Sequence, residues 1–187
     1  MTTKTLVTCE EFEQLALAEK ISPWAELIDG EIVDSMSGGF EHSLVSGNFH
    51  ALLREFVRAH GLGRVITNEA GLHIVSDLPR SRGADVAFIS YPRMPKGKRL
   101  KGFLRIAPEL IVEVLAEKDS WKNLEDKIAD YHRTGVEMVW VADPQTRTVK
   151  KFSRSGEQEI VHDGGELTGG KILPGFSVPI ARFFDED

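Results

Sequence analysis

Two apolar segments joined by a helical segment constrain the fold of this chain more than any other feature. The segments PELIVEVL (108–115) and VEMVWVAD (136–143) are apolar almost throughout, which is typical of strands that are buried on both faces of a sheet. Residues 120–134 between them have helical spacing and end before Gly135. Because a crossover of this kind joins parallel strands, and hairpins are predicted on either side, the sequence predicts a mixed α/β sheet with helices on both faces.

Local signals predict the other elements. Thr8 and Glu11 fit a capping box at the start of a short helix. Asp29-Gly30 predicts a hairpin between strands at 25–28 and 31–36. The remaining predicted elements are a helix at 41–60, a second hairpin that turns near Asn68-Glu69, a strand at 84–90, and tail strands at 148–153, 158–162 and 171–173.

Length and composition indicate one domain over residues 1–187, with room for a sizeable core. Cys9 is the only cysteine, so a disulfide framework is excluded and a half-buried thiol is the ordinary expectation. No apolar run approaches the roughly 20 residues of a membrane span. We therefore expect a cytoplasmic protein that has no membrane partner.

Residues 93–105, RMPKGKRLKGFLR, form a basic loop that contains no acid, in a chain whose net charge is −6. Its candidate phosphate-binding side chains are Lys96, Lys98, Arg99 and Lys101. A solvated loop that happens to be basic remains the alternative interpretation.

Three acids lie at unusual places in apolar strands. Asp85 opens VAFI, Glu113 lies inside LIVEVL, and Glu26 precedes Leu27-Ile28. If the strands of Asp85 and Glu113 are neighbours, the two carboxylates converge, and they then either share a proton or bind a cation. Their oxygens suit Mg²⁺ or Mn²⁺. A strand-start acid and a buried salt bridge remain the alternatives.

Lys127 lies at the border of the buried face of the helix that follows the Glu113 strand. A lysine beside a phosphodiester can orient or help deprotonate water, or offset the charge of the transition state. The alternative is an ordinary helix lysine whose stem packs on apolar surface. For His42, which could face a cleft, a surface or capping role is the favoured interpretation.

Several motifs in one order resemble a known family. The segments AELIDGEIV, DVAFI, PELIVEVL, KIADYHRTGVEMVWVADP and LPGFSVPI resemble the Uma2 family of endonucleases, in the PD-(D/E)XK nuclease superfamily, over about residues 24 to 184. The resemblance implies a restriction-endonuclease-like core, with a central mixed sheet and flanking helices. It also implies hydrolysis of DNA phosphodiester bonds that depends on Mg²⁺ or Mn²⁺.

The resemblance further implies a metal site at Asp85 and Glu113. The backbone carbonyl of Val114 would be a further ligand, and Glu26 would complete the site.

Two positions depart from the family pattern. Ala84 stands where the family usually has proline, and Leu115 stands where the E-x-K motif places its lysine. The resemblance therefore implies Lys127 as the substitute, so that Asp85, Glu113 and Lys127 form the catalytic set.

Two further hypotheses stay open. The fold could persist as a catalytically inactive binding or assembly protein that uses the same acids in salt bridges. The chain is also expected to form a homodimer, in which Phe183 and Phe184 of the tail VPIARFF would be exposed and pack on a partner.

Overall fold

The computed structural model describes residues 6–34, 38–117 and 119–185. The elements in chain order are α1 (Cys9–Leu17), β1 (Glu26–Ile28), β2 (Glu31–Val33), α2 (Phe40–Ala59), β3 (Gly63–His73), β4 (Ser81–Ser90), β5 (Leu110–Val114), α3 (Trp121–Thr134), β6 (Met138–Asp143), β7 (Thr148–Ser153), β8 (Gln158–Val161), β9 (Glu166–Thr168), β10 (Ser177–Pro179) and α4 (Ala181–Phe184).

One sheet of eight strands organises the chain. Its order is β2-β1-β4-β5-β6-β7-β8, with β3 paired to β4, and β9 and β10 form a small second sheet. Strands β5 and β6 are parallel and are joined through α3, whereas the other pairings are antiparallel. This confirms the predicted mixed sheet and its crossover.

Helices cover both faces of the sheet. Helix α2 buries Val45, Phe49, Leu53 and Val57, which recur every four residues and pack on one face of the central strands. Helix α3 packs on the other face through three buried residues, Leu124, Ile128 and Tyr131. Both faces of β5 are therefore buried, as its apolar sequence predicts.

The helix and hairpin signals near the start of the chain are confirmed. The Thr8 hydroxyl accepts from the Glu11 N–H at 3.1 Å, and the Glu11 carboxylate accepts from the Thr8 N–H at 2.9 Å. Asp29 and Gly30 have φ angles of 51° and 77° in the turn between β1 and β2. Strand β2 ends at Val33, and residues 35 and 36, which were predicted to continue it, lie outside the described residues.

The second predicted hairpin is wrong. Residues on both sides of Asn68 pair with the same strand, β4, and the register shifts between Thr67 and Ala70. Asn68 has a φ of 71°, which a β-bulge accommodates as readily as a turn does. The segment therefore forms one long strand, β3, with a bulge.

The tail also differs from its prediction. The described structure has no strand at 171–173, because the segment turns and Leu173 N–H donates to the Gly169 carbonyl at 3.1 Å. Phe183 and Phe184 are buried rather than exposed, and the Phe183 ring stacks on Phe49 with 4.3 Å between centroids. The tail therefore packs on its own core, and homodimer formation stays a prediction without this support.

Among the helices of the described residues, none combines the length and the apolar character that crossing a membrane requires.

Candidate active site

The pairing of β4 with β5 brings Asp85 and Glu113 together. Val86 is opposite Val112 in this antiparallel pair, so Asp85 and Glu113 occupy the next opposed positions, at the end of β5 that leads to α3. Both side chains are buried. Asp85 Oδ2 also accepts a hydrogen bond from the Val114 N–H at 2.8 Å, which fixes this carboxylate against the end of β5.

Helix α3 supplies the polar partners of Glu113. Lys127 Nζ donates to Glu113 Oε2 at 2.7 Å, and the Tyr131 hydroxyl lies 2.7 Å from Oε1. Lys127 and Tyr131 are four residues apart, so they lie on the same face of the helix. The crossover thus places a cation and a hydroxyl directly on the acid of the preceding strand.

Glu26 joins the site from β1. Its carboxylate accepts from the Gly83 N–H at 3.1 Å and from Arg82 at 2.8 Å, and it lies 3.4 Å from Lys127 Nζ. Lys127 therefore bridges Glu26 and Glu113. The structure brings together four predicted site residues, Glu26, Asp85, Glu113 and Lys127, with Val114 beside them.

Two arginines and an aspartate that were not predicted as site residues extend this cluster. Arg82 and Arg80 both bind the buried carboxylate of Asp130, at 2.8 and 3.0 Å, and Arg80 also binds Asp29 at 2.7 Å. The available signal was the pair of arginines at 80 and 82, just before Asp85. Alternation along a strand places two such residues on one face.

His42 lies at the site rather than in the surface or capping role that the sequence favoured. Its Nε2 is 3.2 Å from Asp85 Oδ2, and its side chain is 17% exposed. His42 belongs to the first turn of α2. The acidic site therefore lies between a helix on each face of the sheet, α2 and α3.

The protonation states follow from these contacts. Burial raises the pKa of Asp85, but His42, the charge of Lys127 and the Val114 N–H together outweigh it and lower this pKa. Burial likewise raises the pKa of Glu26, but Lys127, Arg82 and the Gly83 N–H together outweigh it and lower this pKa too. Burial alone would lower the pKa of Lys127, but the charge of Glu113 and its neighbours raises this pKa well above the ordinary lysine value. Lys127 is thus suited to act as a fixed cation rather than as a base.

A cleft of about 420 Å³ lies over Lys127 and Glu113. Its acidic lining residues are Glu26, Asp34, Glu113, Asp119 and Asp126, and its basic ones are Arg80, Arg82 and Lys127. Both arginines are already bound to carboxylates. The cleft therefore carries an excess of negative charge.

The basic loop lies at the other end of the same strands. It leaves β4 after Ser90, five residues beyond Asp85, which corresponds to about 17 Å along a strand. Arg93 binds Glu109, and Arg105 binds Glu13, so these two cations are used within the fold. Lys96, Lys98, Arg99 and Lys101 are exposed. A loop that joins the strands of Asp85 and Glu113 would be expected to begin near these acids, but in the structure it begins at the opposite end of β4.

The donor chemistry of the site fits Mg²⁺ or Mn²⁺. Glu113 lines a cleft with an excess of negative charge, and the buried carboxylate of Asp85 occupies the opposed position on the neighbouring strand. Mg²⁺ in proteins uses one or two carboxylates and keeps several waters. A larger set of ligands is not preformed, since no group of three His, Cys, Asp or Glu side chains within residues 6–34, 38–117 and 119–185 converges enough to hold a metal ion.

Comparisons with known proteins point to one family. The sequence profile of the Uma2 family, described as a putative restriction endonuclease, matches residues 9–181. A crystal structure from Anabaena variabilis, described as a putative nuclease belonging to DUF820, superposes with a TM-score of 0.78 at 20% sequence identity, covering 95% of this chain and 97% of that one. No curated protein matches this chain. The structural likeness confirms the fold.

Proposed function

The chain belongs to the Uma2 family of putative restriction endonucleases, and on that ground we propose that it is a metal-dependent endonuclease that hydrolyses DNA phosphodiester bonds. One observation carries this proposal. Lys127 Nζ lies 2.7 Å from Glu113 and 3.4 Å from Glu26, so a cation from α3 stands beside the strand acid although position 115 is leucine.

Asp85 and Glu113 would hold Mg²⁺ or Mn²⁺, with the Val114 carbonyl and Glu26 as further ligands. The ion would supply Lewis-acid stabilisation of the charge that builds up on the phosphate, and it would lower the pKa of water.

The side chains of the chain itself have separate tasks in this proposal. Lys127 is the catalytic cation, and as a buried ammonium it offsets negative charge on the phosphate in the transition state. Tyr131 orients Glu113 through its hydroxyl. His42 and the Val114 N–H orient Asp85. Because the cleft is bordered by fixed charges, these groups need little rearrangement when substrate binds.

The test is a plasmid-nicking assay with purified protein in Mg²⁺ or Mn²⁺. We expect the wild-type protein to nick and Glu113→Gln to lose at least about a hundredfold in rate, since removing one stabilising group in a site of this kind costs about that much. Glu55→Gln, an exposed acid on α2, is the matched control and should nick normally. Equal nicking by the wild type and Glu113→Gln would assign the activity to a contaminant.

One observation favours a second candidate, a catalytically inactive binding or assembly protein. The site acids already have partners in Lys127, Arg82 and His42, as a buried network of polar groups requires. Calorimetry with Mn²⁺ separates the two candidates. The absence of binding heat at millimolar Mn²⁺ would favour the inactive protein.

We also propose that Lys96, Lys98, Arg99 and Lys101 contact DNA phosphates away from the reacting bond. Their loop lies about 17 Å from Asp85 along the strands, which is about five base pairs of duplex. Replacing all four by glutamine should weaken DNA binding while leaving the rate constant at saturating DNA unchanged.

A further inference from the structure

Asp130 is the most deeply buried charged side chain among the residues that the structure describes, and the proposed function gives it no task. It lies in α3, three residues after Lys127, and is 1% exposed. Its carboxylate accepts hydrogen bonds from Arg80 at 3.0 Å, from Arg82 at 2.8 Å and from Arg133 at 3.0 Å. A buried carboxylate is costly unless such partners satisfy it, and the positions of the partners indicate what this one does.

The contacts of Asp130 join α3 to the sheet. Arg82 belongs to β4 and Arg80 immediately precedes this strand, whereas Arg133 belongs to α3 itself. Of the fourteen residues of α3, all of which the structure describes, the other buried ones are Leu124, Ile128 and Tyr131. Asp130 therefore supplies the charged contact that fixes a largely exposed helix to β4.

A chain of alternating charges leads from Asp130 to the candidate active site. Arg82, which is 5% exposed, binds Asp130 and also donates to Glu26 Oε2 at 2.8 Å. The carboxylate of Glu26 in turn lies 3.4 Å from Lys127 Nζ, which is 2.7 Å from Glu113. Among the described residues, β1 pairs with β4 at a single position, so Arg82 also helps to hold the strand that carries Glu26.

The lysine itself cannot fix its own position. Lys127 carries its ammonium on a flexible four-carbon stem, so the 2.7 Å contact with Glu113 depends on where the helix lies. In a catalytic site, a displacement of about 1 Å can cost about a hundredfold in rate. A contact that fixes α3 on β4 therefore bears directly on the task proposed for Lys127.

We propose that Asp130 is a positioning residue of the candidate active site: by binding Arg80 and Arg82 it fixes α3 on β4, and this holds Lys127 between Glu26 and Glu113. The catalytic consequence of this inference rests on the proposed function. The position of Lys127, by contrast, is measurable without catalysis.

The first measurement is the rate at which each lysine of the full chain is acetylated by acetic anhydride, read by mass spectrometry. In the wild type Lys127 should react slowly, because Glu113 holds its ammonium. Arg80→Gln and Asp130→Asn should each raise the rate at Lys127 by at least about fivefold, as expected for residues coupled through one network. If Asp130→Asn fails to fold, Arg80→Gln decides, because the Arg80 side chain is 20% exposed and is one of several partners of Asp130.

Two lysines and one further variant serve as controls. Lys122 is exposed on α3, and Lys151 is 11% exposed and bound to Glu159 at 2.7 Å; neither should change its rate in the variants. Arg133→Gln is the matched control, because Arg133 binds the same carboxylate from within α3, and Lys127 should react in it as in the wild type. Equal rises at Lys127 and Lys151 would show a general loss of stability and overturn the inference.

The second measurement is plasmid nicking in Mn²⁺. Arg80→Gln should lower kcat at least about tenfold, since misplacing a catalytic group is costly, and it should leave KM for DNA unchanged, since Arg80 is bound to Asp29 and Asp130. Arg80→Lys, which keeps a positive charge for Asp130, should lose less than Arg80→Gln. Arg133→Gln should nick normally, and a loss in this variant equal to that of Arg80→Gln would overturn the inference.

The outcomes separate this inference from the proposed function. If the wild type does not nick, but Lys127 reacts faster in Arg80→Gln while Lys151 does not, the positioning role stands and the nuclease is removed. If the wild type nicks, but Lys127 is acetylated at the same rate in every folded variant, the inference is overturned and the nuclease remains.

Discussion

Replacing Lys127 by methionine removes the cation that bridges the buried Glu113 and the half-buried Glu26. Its Nζ lies 2.7 Å from Glu113 and 3.4 Å from Glu26. Methionine keeps much of the volume of the stem, so the substitution tests the charge rather than the packing. Glu113 would then lose its lysine while remaining buried, and Glu26 would keep only Arg82 as a cationic partner.

The magnitude follows from these distances. At an effective dielectric constant of about 20, the contacts with Glu113 and Glu26 correspond to attractions of about 6 and about 5 kcal/mol. Desolvation of the ions, at several kcal/mol each, offsets most of this. Breaking a buried pair by removing one partner therefore costs about 3–5 kcal/mol. Since the Lys127 side chain is 19% exposed, we expect a loss of about 3 kcal/mol in the free energy of unfolding.

Urea denaturation of five proteins, the wild type, Lys127→Met, Lys122→Met, Glu113→Gln and one double variant, measures this loss and its origin. Lys127→Met should unfold at lower urea than the wild type, whereas Lys122→Met, an exposed lysine on the same helix, should stay within about 0.5 kcal/mol. The double variant Lys127→Met with Glu113→Gln should lose about 1–2 kcal/mol less than the two single losses combined, because the orphaned charge is gone. The reasoning would be refuted if the losses in the free energy of unfolding were strictly additive in the double variant. It would equally be refuted if Lys127→Met were as stable as the wild type.

Three further predictions concern the scaffold. Burial alone would raise the pKa of Glu13, but hydrogen bonds, the first from the Phe103 N–H, lower this pKa below its ordinary 4.5. The ionised Glu13 therefore stabilises the fold above about pH 4.5, and this contribution is lost as the pH falls. The difference in stability between the wild type and Glu13→Gln, measured by urea denaturation, should accordingly shrink below about pH 4.5. Phe183→Ala empties a fully buried site against Phe49 and should cost about 3–5 kcal/mol by the same assay. Gly135 has a φ of 113°, so Gly135→Ala should lower the stability by about 1–2 kcal/mol, seen as a fall of a few degrees in Tm.

The parts of the fold that the sequence predicts well depend on local signals. The Thr8 capping box, the Asp29-Gly30 turn and the helix that ends at Gly135 each involve residues a few positions apart. The position of Lys127 at the border of the buried face of α3 also follows from helical spacing. Its contact with Glu113 then needs only the crossover, which the two apolar strands predict.

Long-range pairing decided the features that the sequence did not predict. Asn68 has the positive φ of a turn residue, yet the strand continues because both of its halves pair with β4. Arg82 lies outside the predicted strand at 84–90, and its partners Glu26 and Asp130 are 56 and 48 residues away in the sequence. His42 likewise gains its partner only when α2 packs on the sheet. No pattern among residues that are neighbours in the sequence predicts these contacts.

The excess of acids in the cleft has a consequence for the response of the protein to ionic strength. Proteins that hold nucleic acid through six to ten phosphates lose about a thousandfold or more in affinity between 50 and 200 mM salt, because each contact releases condensed counterions. In this cleft both arginines are already bound to carboxylates. If phosphate contacts are made by Lys96, Lys98, Arg99 and Lys101 alone, the slope of log K against log salt would be about 3.6 in magnitude. We therefore expect the affinity of this protein for its substrate to fall less with rising ionic strength than that of most nucleic-acid-binding proteins.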